Sequence, residues 1–236
     1  MAVMLKVKDK LLDLFFPQVR CMVCDSAENV EGGLCAACCD EMERYPLLEV
    51  HRAEQTAYTA AKAVYVYEGV VRKVIHCMKF AGQYDLPVRL FAQEMSGVLG
   101  EVGWRVDCVV AVPTEAKSLR KRGYNQAEKL AKRLCRLRGL RMETRVIKKK
   151  RGTRSQVGLN AQERRRNLTG ALLPDKRSKS VMDKCVLLID DVYTTGATAE
   201  ICALTLLACG AKEVYVLCAA RVADHALEQY LAGKME

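Results

Sequence analysis

Apolar residues along this chain follow two alternating patterns: short uninterrupted runs, and longer stretches in which they recur every three or four positions. The runs predict buried strands, and the spaced residues predict amphipathic helices that cover them. The strand patterns are Ala63 to Tyr67, Asp107 to Pro113, Val186 to Ile189 and Glu213 to Ala220. Helical spacing is found from Val70 to Met78, Leu86 to Val98, Ala127 to Leu134 and Ala197 to Cys209. Strands that alternate with helices predict an α/β fold with an open, mainly parallel sheet.

The first residues carry a separate helical pattern. Its apolar positions run from Val3 to Phe16, and Pro17 ends it. This predicts an amphipathic helix in residues 1–20 that packs on the body of the protein, on a partner or on a membrane surface. Lys6, Asp9 and other charged residues interrupt the apolar positions, which argues against a secretory signal peptide. No run of eighteen apolar residues indicates a transmembrane segment, so we expect a cytoplasmic protein.

Seven of the twelve cysteines are scattered singly through apolar segments, which favours buried, reduced thiols for them. The other five are close together near the N-terminus, in Cys21-Met-Val-Cys24 and Cys35-Ala-Ala-Cys38-Cys39. Two such knuckles joined by a short hairpin supply four thiolates to a tetrahedral Zn²⁺. We predict a structural zinc site at Cys21, Cys24, Cys35 and Cys38, with Cys39 as an alternative to Cys38. The predicted zinc ribbon covers residues 21–50, and a larger domain covers residues 51–236.

The positive charge of the chain is concentrated in one segment. From Lys117 to Lys184 there are 23 Lys and Arg residues against five Asp and Glu, whereas the rest of the chain has 15 against 23. Such a concentration is typical of a surface that binds a polyanion, either pyrophosphate or a nucleic acid. Within it, Lys148 to Asn167 lacks periodicity. We interpret that stretch as a basic lid or as a solvated charged loop.

The stretch from Val186 to Thr198 combines a buried strand, two carboxylates and a small turn before a helix. The free N–H groups at the start of such a helix favour a phosphate, and threonine hydroxyls add donors. Asp190 and Asp191 suit vicinal hydroxyls or a hydrated Mg²⁺. A sugar phosphate offers a phosphate and a diol together. The pattern therefore predicts a sugar-phosphate site.

This stretch resembles, over all thirteen positions, the signature of type I phosphoribosyltransferases, which bind 5-phosphoribosyl 1-pyrophosphate (PRPP). The resemblance implies the sheet of that fold. It also implies that the acidic pair, Asp190 and Asp191, contacts the ribose hydroxyls and acts in catalysis. It assigns the 5-phosphate to the turn formed by Thr194, Thr195, Gly196, Ala197 and Thr198.

The loop after the strand that ends at Pro113 is expected at the same edge of the sheet, because the carboxyl ends of parallel strands lie together. We expect that loop to face the pyrophosphate end of PRPP. Lys117 and Arg122 are the predicted PRPP-binding cations there, together with basic residues of the segment from Lys148. Mg²⁺ bound with PRPP is the second predicted metal.

Taken together, the motifs resemble those of the ComF family. In that family an N-terminal zinc ribbon precedes a phosphoribosyltransferase domain, and its members are associated with DNA uptake. The shared features are the two knuckles, Lys79-Phe80-x-Gly82, Val112-Pro113, Arg122-Gly123-Tyr124-Asn125-Gln126, Thr153-x-x-Gln156, Glu163-Arg164-x-x-Asn167 and the PRPP motif. No segment resembles a pocket for a purine or pyrimidine acceptor.

Two functions remain open from these residues. One is transfer of a phosphoribosyl group to an unknown acceptor with release of pyrophosphate. The other is binding of single-stranded DNA, with Tyr124 for stacking and PRPP as a ligand or sensor. In either case, proteins of the DNA-uptake machinery are possible partners of the zinc ribbon.

Overall fold

The computed structural model describes residues 20–45, 50–51, 56–80, 84–150 and 172–223. The predicted N-terminal helix lies outside these residues, as do Gly82, His225, the motifs Thr153-x-x-Gln156 and Glu163-Arg164-x-x-Asn167, and all of the predicted lid beyond Lys150. Within this part of the chain, no helix combines the length and apolar character that are needed to cross a membrane.

The central sheet has five strands in the order β3-β4-β9-β8-β5. Their bounds are β3, Val50–His51; β4, Ala60–Val66; β5, Cys108–Ala111; β8, Cys185–Tyr193; and β9, Glu213–Arg221. Strands β4, β9, β8 and β5 are parallel to their neighbours, and the short β3 is antiparallel at one edge. The predicted α/β class with a mainly parallel sheet is confirmed.

The helices are α1, Ala36–Asp40; α2, Gly69–Phe80; α3, Asp85–Glu101; α4, Ala116–Arg122; α5, Gln126–Arg138; and α6, Ala197–Ala208. Alternate residues of β8 face opposite sides of the sheet, as its period of two requires. Leu187 and Ile189 belong to the core formed with α2, α3 and α5, whereas Val186 and Leu188 belong to the core formed with α6. The predicted buried strand therefore has a helix layer on each face.

A small cysteine-rich module precedes the sheet. Strands β1, Val30–Glu31, and β2, Leu34–Cys35, form an antiparallel hairpin that leads into α1. The module has no separate interior, because Leu34, Cys35 and Cys38 belong to the same buried cluster as residues of α2 and α3. The proposed boundaries at residues 20 and 50 stay predictions.

The segment after α5 differs from the prediction of an irregular basic loop. Lys148 and Lys149 lie in β6, Ile147–Lys149, which pairs with β7, Leu172–Pro174, in an antiparallel hairpin. Strand β6 contributes to the core, since Ile147 is buried on the α6 side of the sheet. A short 3₁₀ helix, Ser178–Val181, then leads into β8.

Candidate functional site

The acidic pair lies inside β8 rather than after it. Pairing with β5 ends at Ala111 opposite Ile189, but pairing with β9 continues to Tyr193 opposite Arg221. Strand β8 therefore projects beyond β5, and Asp190 and Asp191 lie on the part without a β5 neighbour. Ligands of open α/β sheets bind in crevices at the carboxyl ends of the strands, which is where this step lies.

Both carboxylates are tied to the backbone next to them. Oδ1 of Asp190 accepts the N–H of Asp191 at 2.9 Å, and Oδ1 of Asp191 accepts the N–H of Val192 at 2.8 Å. Oδ2 of Asp191 forms an ion pair with Nζ of Lys79 at 2.8 Å. Burial raises the pKa of Asp190 well above its ordinary value, and the neighbouring charge of Asp191 raises it further. The cleft thus holds one carboxylate paired with a cation and one that resists ionisation.

The turn between β8 and α6 depends on Gly196, whose φ is +75°, in the left-handed region. A Cβ at this position would lie 2.8 Å from Cζ of Tyr193 and would overlap the Tyr193 hydroxyl. The glycine is therefore required by the backbone and by the tyrosine beneath it.

The start of α6 keeps hydrogen-bond donors available to a ligand. The N–H of Ala197 lies 3.4 Å from Oγ1 of Thr195, and no side chain caps the helix. Free N–H groups and the positive end of the helix dipole favour an anion at this point.

A network below the turn fixes its position. The hydroxyls of Tyr58 and Tyr193 are 2.7 Å apart, and Glu200 accepts the N–H of Ala57 at 2.9 Å. The guanidinium of Arg221 lies over the rings of both Tyr193 and Tyr45, 5.3 Å and 5.2 Å from the ring centroids. The turn is thus supported by residues that precede β4 and by the end of β9.

The stretch Arg122-Gly123-Tyr124-Asn125-Gln126 forms the opposite wall of the cleft. Gly123, with a φ of +79°, ends α4, and its N–H bonds to the carbonyl of Leu119. The side chain of Asn125 donates to the carbonyl of Val112 at 2.9 Å, which fixes the loop after β5. Arg122 and Gln126 face the cleft.

Tyr124 is occupied in packing. Its hydroxyl donates to the carbonyl of Met78, and its ring lies 4.4 Å from that of Tyr84. It therefore links the end of α2 to the loop between α4 and α5, and its expected role in stacking on DNA stays a prediction.

The cleft brings together five of the predicted sugar-phosphate residues: Arg122, Asp190, Asp191, Thr194 and Thr198. Thr195, Gly196 and Ala197 complete the turn without being part of the cleft wall. Lys117 lies on α4 and is exposed, and it is not among the residues that line the cleft. Residues 116–122 form a helix where a loop was expected, and of its four basic residues only Arg122 lines the cleft.

Three further polar residues of the cleft had no predicted role, namely Lys79, Asn125 and Gln126. Thr114 also lines it, as part of the loop that was expected to face pyrophosphate. Gln126 is only 3% exposed, and its Nε2 has no hydrogen-bond partner among the described residues, which indicates that the polar wall of the cleft is incomplete without a ligand. Lys79 occurs in a recognised motif, but the motif alone did not show that it reaches the acidic pair.

The four predicted zinc ligands form a cluster. The sulfur atoms of Cys21, Cys24, Cys35 and Cys38 all lie within 4.8 Å of one another, and those of Cys24 and Cys35 are 3.5 Å apart. Tetrahedral Zn²⁺ with Zn–S bonds of about 2.3 Å places its ligands roughly 3.8 Å apart. The set therefore fits a closed, structural zinc site. Cys39 is exposed and lies outside the cluster, which favours Cys38 as the fourth ligand.

The environments of Cys21 and Cys38 shift their pKa values in opposite directions. Burial alone raises the pKa of Cys21, but hydrogen bonds from the backbone N–H groups of Cys24, Cys35 and Val23 outweigh it and lower the pKa to about 6. Burial raises the pKa of Cys38, and the neighbouring thiols raise it further. A shared divalent cation offsets that repulsion, as metal binding to deprotonated ligands requires.

Comparison with known proteins gives the following similarities. No family model matches the chain. The DNA utilization protein YhgH of Salmonella typhimurium (strain LT2) is 30% identical over 207 residues, which are 85% of this chain and 89% of that protein. The competence protein ComFC of Bacillus subtilis (strain 168) is 28% identical over 150 residues, 62% of this chain and 57% of that protein. Among solved structures, a purine phosphoribosyltransferase from Pyrococcus horikoshii is 21% identical with a TM-score of 0.36, covering 57% of this chain and 72% of that one.

Proposed function

Because the chain belongs to the ComF family of competence and DNA-utilisation proteins, we propose that its phosphoribosyltransferase fold binds PRPP together with Mg²⁺. The observation that supports this most directly is the placement of Asp190 and Asp191 beside the start of α6, opposite Arg122. Residues that would hold a diol, a phosphate and pyrophosphate therefore line one cleft.

The same arrangement suits transfer of the phosphoribosyl group. Positive charge develops on the anomeric carbon as pyrophosphate leaves, so a site that holds the sugar and neutralises the leaving group lowers the barrier. Asp190 and Asp191 would hold the ribose hydroxyls, the N–H groups of α6 the 5-phosphate, and Arg122 and Lys149 the pyrophosphate. Bound Mg²⁺ would supply further neutralisation of the phosphate oxygens. The acceptor remains unassigned.

The test is isothermal titration of PRPP with Mg²⁺ into the wild-type protein and the double variant Asp190→Asn, Asp191→Asn. Asp191 is the carboxylate of the pair that is held by a cation. Loss of a hydrogen bond to a charged acceptor costs about 1.5–3 kcal/mol, so affinity should fall more than tenfold. Because the pKa of Asp190 is raised, the wild-type affinity should also fall as the pH is lowered and this carboxylate takes up a proton.

Asp183→Asn is the matched control. Asp183 is exposed, precedes β8 and has a φ of +58°, which asparagine adopts readily. This variant should bind PRPP like the wild type. Equal affinity of the wild type and the double variant would contradict the proposal. The single variant Asp191→Asn serves if the double variant does not fold.

Binding of single-stranded DNA is the second candidate, supported by the exposed cations of α4. Lys117, Arg120 and Lys121 form a basic surface beside the cleft, within the segment that carries the excess charge. Such a surface attracts the phosphate backbone without reading bases, so its affinity depends steeply on salt.

We expect fluorescence anisotropy with a labelled oligonucleotide to show binding that weakens as salt rises. The variant Lys117→Glu, Arg120→Glu should bind roughly tenfold more weakly at low salt, since each reversal replaces a favourable phosphate contact by a repulsive one. Lys212→Glu is the control. Lys212 is exposed just before the amino-terminal end of β9, whereas the cleft lies at the carboxyl ends of the strands. An equal loss of oligonucleotide affinity in both variants would show a general effect of net charge and would contradict a DNA-binding surface on α4.

A further inference from the structure

Lys79 reaches the acidic pair along an unusual path. Helix α2 begins just after the carboxyl end of β4, yet its last turn also lies at the carboxyl edge of the sheet, where Nζ of Lys79 is 2.8 Å from Oδ2 of Asp191. The helix therefore crosses this edge instead of returning along the sheet. Both side chains of the pair are mostly buried, with 21% and 16% exposure, but they line the open cleft.

The backbone of this last helical turn is held from two sides. The thiol of Cys77 donates to the carbonyl of Met22 in the cysteine module, at 3.6 Å. The hydroxyl of Tyr124 donates to the carbonyl of Met78. Residues 77 and 78 are thus fixed, whereas the flexible four-carbon side chain of Lys79 can turn within the cleft without moving the helix.

Both oxygens of Asp191 already have a partner. Oδ1 accepts the N–H of Val192, and Oδ2 is paired with Lys79. A ribose diol that bonds to Oδ2 shares that oxygen with the ammonium and weakens the ion pair. Lys79 then gains from a second anion nearby.

We infer that Lys79 makes the cleft selective for a ribose phosphate that carries pyrophosphate over one that does not; this rests on the proposed function. When the diol takes Oδ2 of Asp191, the ammonium moves to the pyrophosphate oxygens and joins Arg122 and Lys149. Ribose 5-phosphate weakens the same ion pair and offers no pyrophosphate in return. Free pyrophosphate contacts Arg122 and Lys149 but has no diol to weaken the Lys79–Asp191 ion pair. Only a ligand with both a ribose diol and pyrophosphate makes the movement of Lys79 favourable.

The test compares the affinities of PRPP and ribose 5-phosphate, each with Mg²⁺, by isothermal titration. In Lys79→Met, the PRPP affinity should fall at least tenfold while the ribose 5-phosphate affinity is unchanged or higher, so that the ratio of the two falls at least tenfold. Lys79→Arg retains the charge and should keep the ratio within about threefold of the wild type. Lys73→Met, an exposed position on the same helix, should change neither affinity.

The outcomes separate this inference from the proposed function. If the wild type does not bind PRPP, the proposed function itself is wrong. If the wild type binds PRPP but Lys79→Met lowers both affinities equally, Lys79 has only a structural role and the inference is overturned.

A second measurement uses the wild-type protein and does not depend on the folding of any variant. The rate at which an acylating reagent modifies Lys79, read by mass spectrometry, should rise when ribose 5-phosphate is added and fall when PRPP is added. The rate at Lys73 should stay constant. Equal protection of Lys79 by both ligands would overturn the inference.

Discussion

Replacement of Cys38 by serine should prevent zinc binding at the cysteine cluster and lower the free energy of unfolding by about 3–5 kcal/mol, because binding of a structural metal contributes to folding free energy. Cys38 is 5% exposed, and its sulfur belongs to the four-atom cluster. The cluster is packed in the same core as α2 and α3, so we expect the whole protein to unfold in one transition at a lower temperature. A loss of this size corresponds to a shift of roughly 10–15 °C for a chain of this length.

The matched control is Cys39→Ser, one position along α1. Cys39 is exposed and lies outside the cluster, so this variant should retain one zinc per chain and the wild-type melting temperature. Zinc content is measured by elemental analysis and unfolding by circular dichroism. Equal zinc content in the two variants would show that the fourth ligand is not Cys38.

Replacement of Gly196 by alanine should destabilise the turn between β8 and α6 more than a positive φ alone explains. The left-handed conformation costs a residue with a Cβ about 1–2 kcal/mol, and overlap with the Tyr193 side chain adds a cost of similar size. We therefore expect the free energy of unfolding to fall by about 3 kcal/mol and PRPP binding to weaken, because the start of α6 moves.

Gly103→Ala isolates the backbone contribution. Gly103 has a φ of +62°, and a Cβ there would meet no atom within 4 Å, so its replacement should cost only the conformational part. A double variant combines Gly196→Ala with Tyr193→Phe. The phenylalanine lacks the hydroxyl that the new methyl group overlaps, so the double variant should recover part of the lost free energy of unfolding. Equal destabilisation at Gly103 and Gly196, measured by urea denaturation, would show that the tyrosine is not the obstacle.

The parts of the fold that were predicted correctly are those with a local physical signature. Val186 to Ile189 could be recognised as a buried strand because four apolar residues in succession satisfy both faces of a sheet. The four-cysteine cluster was predictable for a similar reason, since the spacing of two knuckles limits where their thiols can lie.

The parts that were missed depend on contacts distant in sequence. The pairing of β8 with β9 carries the strand through Asp190 to Tyr193, although acidic residues usually end a strand pattern. Helix α4 buries no residue, so it has no apolar periodicity from which to predict it. Lys79 meets Asp191 only because α2 crosses the edge of the sheet, and no local pattern shows the direction of a helix.

The common core of the cysteine module and helices α2 and α3 also bears on how such proteins can change over evolutionary time. Leu34 and Met42 of the module are buried in the same cluster as Ile75 and Phe91. Exchanging the module between relatives would therefore replace part of an interior and not an appendage. Substitutions on the two sides of this boundary must compensate one another in volume to keep the interior filled. Recombination within the family is thus expected to preserve the module and the two helices as one inherited block.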